Sequence, residues 1–247
     1  MDARHLRRKG FFAVWVAHFG VMLNAGFMMD LNRHISNLQE GLLRIARKKD
    51  GCRVLGPGSR AVVWFHGCSR GCLGCIAAEM NRSESYELIK PKELSEWVLS
   101  CQNIEGVTLT GGEPFEQDFQ SLYEFLRLVK EDKRNLGVIL FTGFYREKLP
   151  LLDEKNNFMQ YIDVLIDGPY MDEKNDNRDL RGSNNQRIFF LTQRYVAEKD
   201  MFFGANRRNL EIELDMDDGV LINGIPRQGF KDDFSSLMRE KGYGIEF

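Results

Sequence analysis

The sequence predicts an α/β fold in which a parallel sheet carries helices on its outer face. Short apolar runs that fit buried strands alternate with stretches whose apolar residues recur at helical spacing. The glycine-rich motifs of this region each lie at the end of a predicted strand. Right-handed crossovers bring the ends of such strands to one edge of the sheet, where ligands bind in this architecture. We therefore expect the motifs to form one site.

Composition limits the classes of protein to consider. With 247 residues and 43% hydrophobic content, the chain is long enough for one sizeable core. A formal net charge of −2 argues against a large nucleic-acid footprint, for which a clustered basic excess is expected. We expect no nucleic-acid partner.

The N-terminal residues differ from the rest. Basic residues precede an apolar stretch from Phe11 to Met29 that resembles a signal peptide or a membrane span, but no small-residue cleavage site follows. We expect residues 1–30 to be an extension and residues 31–247 to form the main domain. The extension is either an anchor or upstream sequence added by a wrong start site, with Met28 or Met29 as the true start; we favour the second interpretation.

The first predicted element is a helix from Ile35 to Lys49, because its apolar residues have helical spacing and its end is basic. A turn at residues 56–60 follows. The run from Ala61 to Phe65 then fits a buried strand that ends at a cysteine-rich loop.

Strands and helices alternate through the middle of the chain. Pro91 starts a helix whose apolar stripe includes Cys101, which we therefore assign to the core. The other predicted elements are a strand at Ile104 to Thr110, a helix around Phe119 to Leu126, and strands at Gly137 to Thr142 and Val164 to Ile166.

The C-terminal part has a different pattern. Leu210 to Leu214 and Val220 to Ile222 predict a hairpin, because Asp217-Asp218-Gly219 between them has turn chemistry. An amphipathic helix containing Phe230 to Met238 follows, and Gly242 is placed to stop it. Nothing in this part indicates a catalytic role.

The cysteine-rich loop holds Cys68, Cys72 and Cys75 in a CxxxCxxC pattern. Thiolates are the usual ligands of iron–sulfur clusters, and a 4Fe-4S cluster that only transfers electrons takes four of them. Gly71 and Gly74 allow the sharp turns that bring three sulfurs to one object. The pattern predicts a cluster with one iron left open for chemistry.

Two alternatives compete with the cluster. A zinc site could use His66 as a fourth ligand, but zinc loops usually carry two separated ligand pairs. Disulfides are disfavoured by an odd number of closely spaced thiols. A cluster with an open iron requires a reducing compartment, which favours a cytoplasmic protein without a membrane span.

With CxxxCxxC after one strand and Gly111-Gly112-Glu113-Pro114 after the next, the chain resembles the radical S-adenosylmethionine superfamily. Within it, the chain is most similar to the activating enzymes of glycyl-radical proteins, in particular those of anaerobic ribonucleotide reductase. Further points of likeness lie between residues 56 and 187, among them Phe141-Thr142-Gly143-Phe144 and Asp167-Gly168-Pro169. One departure is Ile76, where the family commonly has an aromatic residue.

The resemblance implies a fold, an activity and partners. The fold would be a partial (β/α)6-type barrel, here with a C-terminal β-hairpin and helix. The enzyme would use a 4Fe-4S cluster to cleave S-adenosylmethionine into methionine and a 5′-deoxyadenosyl radical, which would take a hydrogen atom from a glycine of a partner enzyme. That partner would be the large subunit of anaerobic ribonucleotide reductase, and the electron donor a flavodoxin- or ferredoxin-like protein.

The resemblance also implies site residues. Cys68, Cys72 and Cys75 would ligate three irons, while the amine and carboxylate of S-adenosylmethionine would chelate the fourth. The other candidates bind the cofactor: Gly111, Gly112 and Glu113 at the methionyl ammonium, Thr142 and Gly143 at the sugar or adenine, and Asp167 as a hydrogen-bond acceptor or partner seat. The alternative to cofactor binding is an ordinary turn at the glycine motifs, and a helix or turn cap by the carboxylate of Asp167.

Two other functions stay open at this point. A radical enzyme acting on a peptide or small molecule has the same motifs, although peptide-modifying members commonly carry a second cysteine motif, and residues 102–247 contain no cysteine. A non-enzymatic zinc or iron–sulfur module is the alternative from another class.

Overall fold

The architecture is a seven-stranded mixed sheet followed by a separate hairpin and a C-terminal helix. This computed structural model describes residues 41–78, 80, 85–149, 158–204, 208–215 and 219–244. The predicted extension at residues 1–30, its boundary with the main domain and the first part of the helix predicted at Ile35 to Lys49 lie outside these residues. Among the described residues, no helix is long and apolar enough to cross a membrane.

The strands of the large sheet occur in the spatial order β3-β1-β2-β4-β5-β6-β7. Their bounds are Leu43–Cys52 for β1, Arg60–Phe65 for β2, Glu87–Ile89 for β3, Gly106–Gly111 for β4, Gly137–Phe141 for β5, Val164–Asp167 for β6 and Arg187–Phe190 for β7. β2, β4, β5 and β6 are parallel neighbours, while β1, β3 and β7 pair antiparallel. The predicted α/β fold is confirmed, and so is a parallel sheet at its centre; the antiparallel strands at its edges were not predicted.

Two helices cover one face of the sheet. Helix α1 (Pro91–Ser100) precedes β4, and helix α2 (Phe119–Lys130) joins β4 to β5. Asp118 caps α2, because its carboxylate accepts from the amide of Ser121 at 2.9 Å. Their buried stripes, including Leu94 and Phe125, pack with alternate sheet residues such as Val63 in one core cluster. Cys101 belongs to the same cluster, as predicted.

The other face of the parallel strands is also buried. Val62 and Trp64 pack with Cys52 and Leu55 in a second cluster, and the next strands contribute to a third one. Every residue of β2 is buried, which explains its continuous apolar run.

The predicted helix up to Lys49 is wrong over the described residues, because Leu43–Cys52 is strand β1. Leu43 and Ile45 are both buried, at a spacing of two that places them on one face of a strand. The strand pairs with both β2 and β3, so its backbone hydrogen bonds are satisfied on two sides. The helical spacing of Ile45 and Ala46 with Leu42 was a coincidence of a short apolar run.

The C-terminal hairpin and helix are confirmed. Strands β8 (Leu210–Asp215) and β9 (Gly219–Gly224) pair antiparallel, and helix α3 covers Phe230–Glu240. Gly242 has a φ of +86° just beyond the helix, where glycine is favoured.

Candidate functional site

The three cysteines lie on one loop that begins where β2 ends. Cys68, Cys72 and Cys75 are partly buried, and each thiol is free. The loop turns at two glycines with positive φ, +57° at Gly71 and +74° at Gly74. Because of these turns, the three cysteines line a single cavity. We call residues 66–78 the cluster loop.

The three thiols influence one another electrostatically. Burial raises the pKa of Cys68 to about 11, and the thiol of Cys75 adds to this rise. Burial also raises the pKa of Cys75, to which Cys72 contributes. In the part of the chain that the structure describes, no three His, Cys, Asp or Glu side chains are placed to hold a single metal ion.

The donor chemistry of the loop fits an iron–sulfur cluster. Three soft thiols on one short loop are a ligand set for a thiolate-bound cluster, and a bound cation favours their deprotonated form. Cys52 and Cys101 are buried elsewhere and do not line the cavity. His66 does not line it either; its ring stacks on Tyr86 with the centroids 4.4 Å apart.

The Gly111-Gly112-Glu113 motif at the end of β4 is hydrogen-bonded to the start of the cluster loop. The amide of Gly112 donates to the carbonyl of Phe65 at 2.7 Å, and the amide of Glu113 donates to the carbonyl of Gly67 at 2.8 Å. A Cβ atom on Gly112 would lie 2.3 Å from the Gly67 carbonyl oxygen. Only glycine permits this contact, so the motif fixes where the cluster loop begins.

The side chain of Glu113 extends this connection to the next strand. Its carboxylate accepts from the hydroxyl of Thr142 at 2.7 Å, the amide of Gly143 at 2.8 Å and the amide of Phe115 at 3.1 Å. The side chain is almost completely buried, and burial raises its pKa while these hydrogen bonds oppose the rise. Glu113 therefore links the ends of β4 and β5 through hydrogen bonds within the protein.

Residues directly after the motif brace the cluster loop, a role that the sequence analysis missed. Glu116 accepts from the amide of Ser69 at 2.8 Å and from its hydroxyl. Gln117 donates to the carbonyl of His66 at 2.9 Å and accepts from the amide of Arg44. The sequence offered one indication of this role, because Glu116 and Gln117 follow the glycine motif closely in the chain.

Asp167 has a different environment from the other candidates. It is fully buried, accepts from the amide of Arg146 at 2.6 Å, and forms an ion pair with Arg187, whose Nε lies 2.9 Å from it. Asp167 is not among the residues that line the cavity, although the next residue, Gly168, is. The structure thus gives this carboxylate protein partners on both oxygens.

The donor-rich loop before β7 is held mainly by its own residues. Gln186 accepts from the amides of Gly182 and Ser183 and donates to the carbonyl of Gly168 at 2.8 Å. Arg181 pairs with Asp179 at 2.7 Å. Of this loop, Gly182 and Gln186 reach the cavity.

The cavity itself has a volume of about 610 Å³, which is in the usual range for small-molecule sites. Eight of the nine predicted site residues line it: Cys68, Cys72, Cys75, Gly111, Gly112, Glu113, Thr142 and Gly143. Trp64 and Phe141 add apolar surface, and Tyr170 and Asp172 add polar groups. A mixed surface of this kind suits a nucleoside joined to a polar chain.

The cavity also has a wall that the sequence analysis did not expect. Ile222, Gly224 and residues 225–232 line it from the end of β9 and the start of α3. These residues have no motif of their own, and the sequence analysis assigned them no place in the site. We call residues 224–232 the C-terminal wall.

Comparison with known proteins confirms the resemblance. A family model described as a 4Fe-4S single cluster domain matches residues 54–189. The chain is similar to proteins named anaerobic ribonucleoside-triphosphate reductase-activating protein: 32% identical to that of Enterobacteria phage T4 over 56% of this chain and 88% of the phage protein, and 31% identical to that of Pasteurella multocida over 57% of this chain and 92% of that protein. The relative from Haemophilus influenzae is 30% identical over 55% of this chain and 90% of its own length.

The match covers the cluster loop, the glycine motif and all four parallel strands, and it ends before β8. The chain belongs to the 4Fe-4S single cluster domain family, among glycyl-radical activating proteins of the radical S-adenosylmethionine superfamily.

Proposed function

We propose that this protein is an S-adenosylmethionine-cleaving oxidoreductase that generates a glycyl radical on anaerobic ribonucleotide reductase. One observation carries the proposal. Hydrogen bonds connect the cluster loop to Gly112-Glu113 and Glu113 to Thr142-Gly143, and all three motifs line one cavity. The names of the relatives supply the partner. The four parallel strands are compatible with the partial (β/α)6 barrel that we propose as the fold.

The residues have distinct parts in this proposal. Cys68, Cys72 and Cys75 hold the cluster by three thiolates, which leaves one iron for the amino-acid end of S-adenosylmethionine. A reduced cluster held there would supply one electron to S-adenosylmethionine, which would split into methionine and a 5′-deoxyadenosyl radical, and that radical would take a hydrogen atom from the partner's glycine. Glu113 holds the rims of β4 and β5 together. We assign the backbone carbonyls of Gly111 and Gly112 to the methionyl ammonium, which needs hydrogen-bond acceptors.

The cavity walls keep the ligand oriented and exclude water. Trp64 and Phe141 offer apolar surface for the nucleoside, and Thr142 and Gly143 lie at the adjoining rim. Asp167, paired with Arg187, holds the chain that leads into Gly168 and so acts as a positioning residue. A flavodoxin- or ferredoxin-like protein is the proposed electron donor.

The test is anaerobic reconstitution with iron and sulfide. The wild-type protein should bind about four irons, and after reduction it should convert S-adenosylmethionine to 5′-deoxyadenosine. Cys68→Ser, Cys72→Ser and Cys75→Ser should abolish this conversion, while Cys101→Ala, a buried cysteine outside the cavity, should retain it.

A second measurement tests the partner. Incubation with the anaerobic reductase of the same organism should produce a glycyl doublet in electron paramagnetic resonance. Cleavage without that doublet would favour a peptide or small-molecule substrate. Stoichiometric zinc without any cleavage would refute the enzyme and favour a binding module.

A further inference from the structure

The two residues expected at the sugar or adenine of the ligand already bind Glu113. The hydroxyl of Thr142 donates its proton to the Glu113 carboxylate at 2.7 Å and accepts from the amide of Phe144 at 3.1 Å. The amide of Gly143 donates to the same carboxylate at 2.8 Å. Because the hydroxyls of a ribose need hydrogen-bond partners when they leave water, the sugar needs a partner elsewhere on the cavity wall.

Three polar side chains of the loop between β6 and β7 line the cavity and are hydrogen-bonded in a row. The Nδ2 group of Asn175 donates to the hydroxyl of Tyr170 at 3.2 Å, and that hydroxyl donates to Oδ1 of Asp172 at 2.7 Å. The ring of Tyr170 packs on Gly182, where a Cβ atom would lie 2.7 Å from it. We call Tyr170, Asp172 and Asn175 the polar triad; its hydrogen bonds end at the carboxylate of Asp172.

Arg208, which lies outside the matched residues 54–189, sets the direction of these hydrogen bonds. Its side chain is 1% exposed and donates to Oδ1 of Asn175 and to two backbone carbonyls of the same loop. Since a guanidinium only donates, Oδ1 of Asn175 has to accept, and the NH₂ group of Asn175 has to face Tyr170. The hydroxyl of Tyr170 then directs its proton to Asp172. The carboxylate at the end of the polar triad is therefore a hydrogen-bond acceptor.

Asp172 lies beside the cluster loop and outside the ion pairs of its own loop. A Cβ atom on Gly74 would lie 3.2 Å from Oδ1 of Asp172. The nearby carboxylates of Asp176 and Asp179 both pair with Arg181, at 3.3 and 2.7 Å. Among the residues that the structure describes, the ion pairs do not include Asp172. A donor group of a bound ligand therefore does not have to displace an ion pair to reach it.

We propose that Asp172 binds the ribose hydroxyls of S-adenosylmethionine, and that Tyr170 and Asn175 hold its carboxylate in place. The inference rests on the proposed function, because it names the residue that holds the sugar of the proposed ligand. Hydroxyls are donors, and a carboxylate is a strong acceptor for them, as the acidic residue of dinucleotide-binding folds is for a ribose hydroxyl. The sugar then lies against a side chain whose orientation depends on Arg208.

The experiment compares three ligands of equal charge on the reconstituted protein. They are S-adenosylmethionine and its 2′-deoxy and 3′-deoxy forms, and the cluster is kept oxidised so that none of them is cleaved. Equilibrium dialysis under anaerobic conditions gives each dissociation constant. Because the three ligands carry the same charges, the other acidic and basic side chains of the lining act on them alike: Glu113, Asp232, Arg70, Arg227 and Lys231.

Removal of the carboxylate should affect only the ligand with the complete sugar. At least one deoxy form should bind the wild-type protein about tenfold more weakly than S-adenosylmethionine, equal to about 1.4 kcal/mol. Asp172→Ala should weaken S-adenosylmethionine binding about tenfold and leave binding of that deoxy form unchanged. Glu173→Ala removes the same charge from the next residue, which is exposed and does not line the cavity, and should change no constant.

The ratios of the constants separate sugar recognition from general damage. Equal binding of the three ligands by the wild-type protein, or equal losses or no loss in Asp172→Ala, would overturn the inference while leaving wild-type cleavage and the proposed function intact. A wild-type protein that holds its cluster but binds none of the ligands would overturn both. If Asp172→Ala failed to retain iron, Tyr170→Phe would decide, because it keeps the carboxylate and removes only the hydroxyl that holds it. This variant should narrow the difference between S-adenosylmethionine and the weaker deoxy form, and an unchanged difference would overturn the inference.

Discussion

Replacement of Glu113 by glutamine should loosen the connection between the cluster loop and the rim of β5. The carboxylate accepts three hydrogen bonds in a buried position, from Thr142, Gly143 and Phe115. A glutamine amide has one oxygen for these donors, so its NH₂ group must face at least one of them. A buried donor left without an acceptor costs about 1–3 kcal/mol, and we expect Glu113→Gln to lower the free energy of unfolding by about that amount.

Two further variants test whether the lost hydrogen bonds cause the destabilisation of Glu113→Gln. Glu113→Ala leaves two backbone amides without an acceptor, and its loss should be larger, about 2–5 kcal/mol. Glu131→Gln is the matched control, because the Glu131 side chain is largely exposed and pairs with Arg127 at the end of α2. Its effect should remain below about 1 kcal/mol.

The assay is urea unfolding of the protein before cluster insertion, under reducing conditions, followed by reconstitution and iron analysis. Glu113→Gln should shift the midpoint with little change in slope. A double-mutant cycle with Thr142→Val should show coupling, because the two side chains share a hydrogen bond. An unfolding free energy of Glu113→Gln equal to wild type, together with no coupling to Thr142, would refute the structural role given to the carboxylate.

The remaining predictions concern backbone contact, an ion pair and thiol reactivity. Gly112→Ala should abolish iron incorporation, because its Cβ atom would lie 2.3 Å from the Gly67 carbonyl oxygen; unchanged iron content would contradict this. Asp167→Asn should destabilise the fold by about 1–3 kcal/mol in urea unfolding, since it removes the charge that pairs with Arg187, and a loss confined to ligand affinity would instead favour a direct binding role. Burial raises the pKa of the Cys52 thiol to about 11, so its alkylation in the folded protein should be slow at neutral pH and rise about tenfold per pH unit toward that value, as mass spectrometry can follow; labelling that is fast at pH 7 would refute its burial.

The parallel part of the fold could be predicted because its signals are local. Each of β2, β4, β5 and β6 is a short apolar run that is almost wholly buried, and a glycine follows its end. Helices α1 and α2 carry a clear apolar stripe with Pro91 or Asp118 at the start. In these elements, local preference and tertiary environment favour the same structure.

The edges of the sheet could not be predicted in the same way. β1 carries three consecutive basic residues, and its period of two is visible only at Leu43 and Ile45. β3 has three residues, too few to show a period. Such strands are determined by the partner that pairs with them, which a single sequence does not reveal.

The cysteines and glycines of the site were identifiable because their chemistry is unusual, but the functions of polar residues were not. Glu113 was expected to meet a ligand, and its three hydrogen bonds to the protein depend on the approach of β5. The C-terminal wall was missed for a related reason. Its residues are ordinary for a loop, and only the folded chain brings them to the cavity.

Strand pairing explains why the cluster loop and the glycine motif meet so closely. β2 and β4 are parallel, with Phe65 opposite Gly111, so both strands end at the same level. The following amides of Gly112 and Glu113 are then in reach of the carbonyls of Phe65 and Gly67. A shift of one residue between these strands would break both hydrogen bonds and would also turn the buried side chains of one strand to the opposite face. The core of the sheet and the position of the three thiols are therefore determined by the same register.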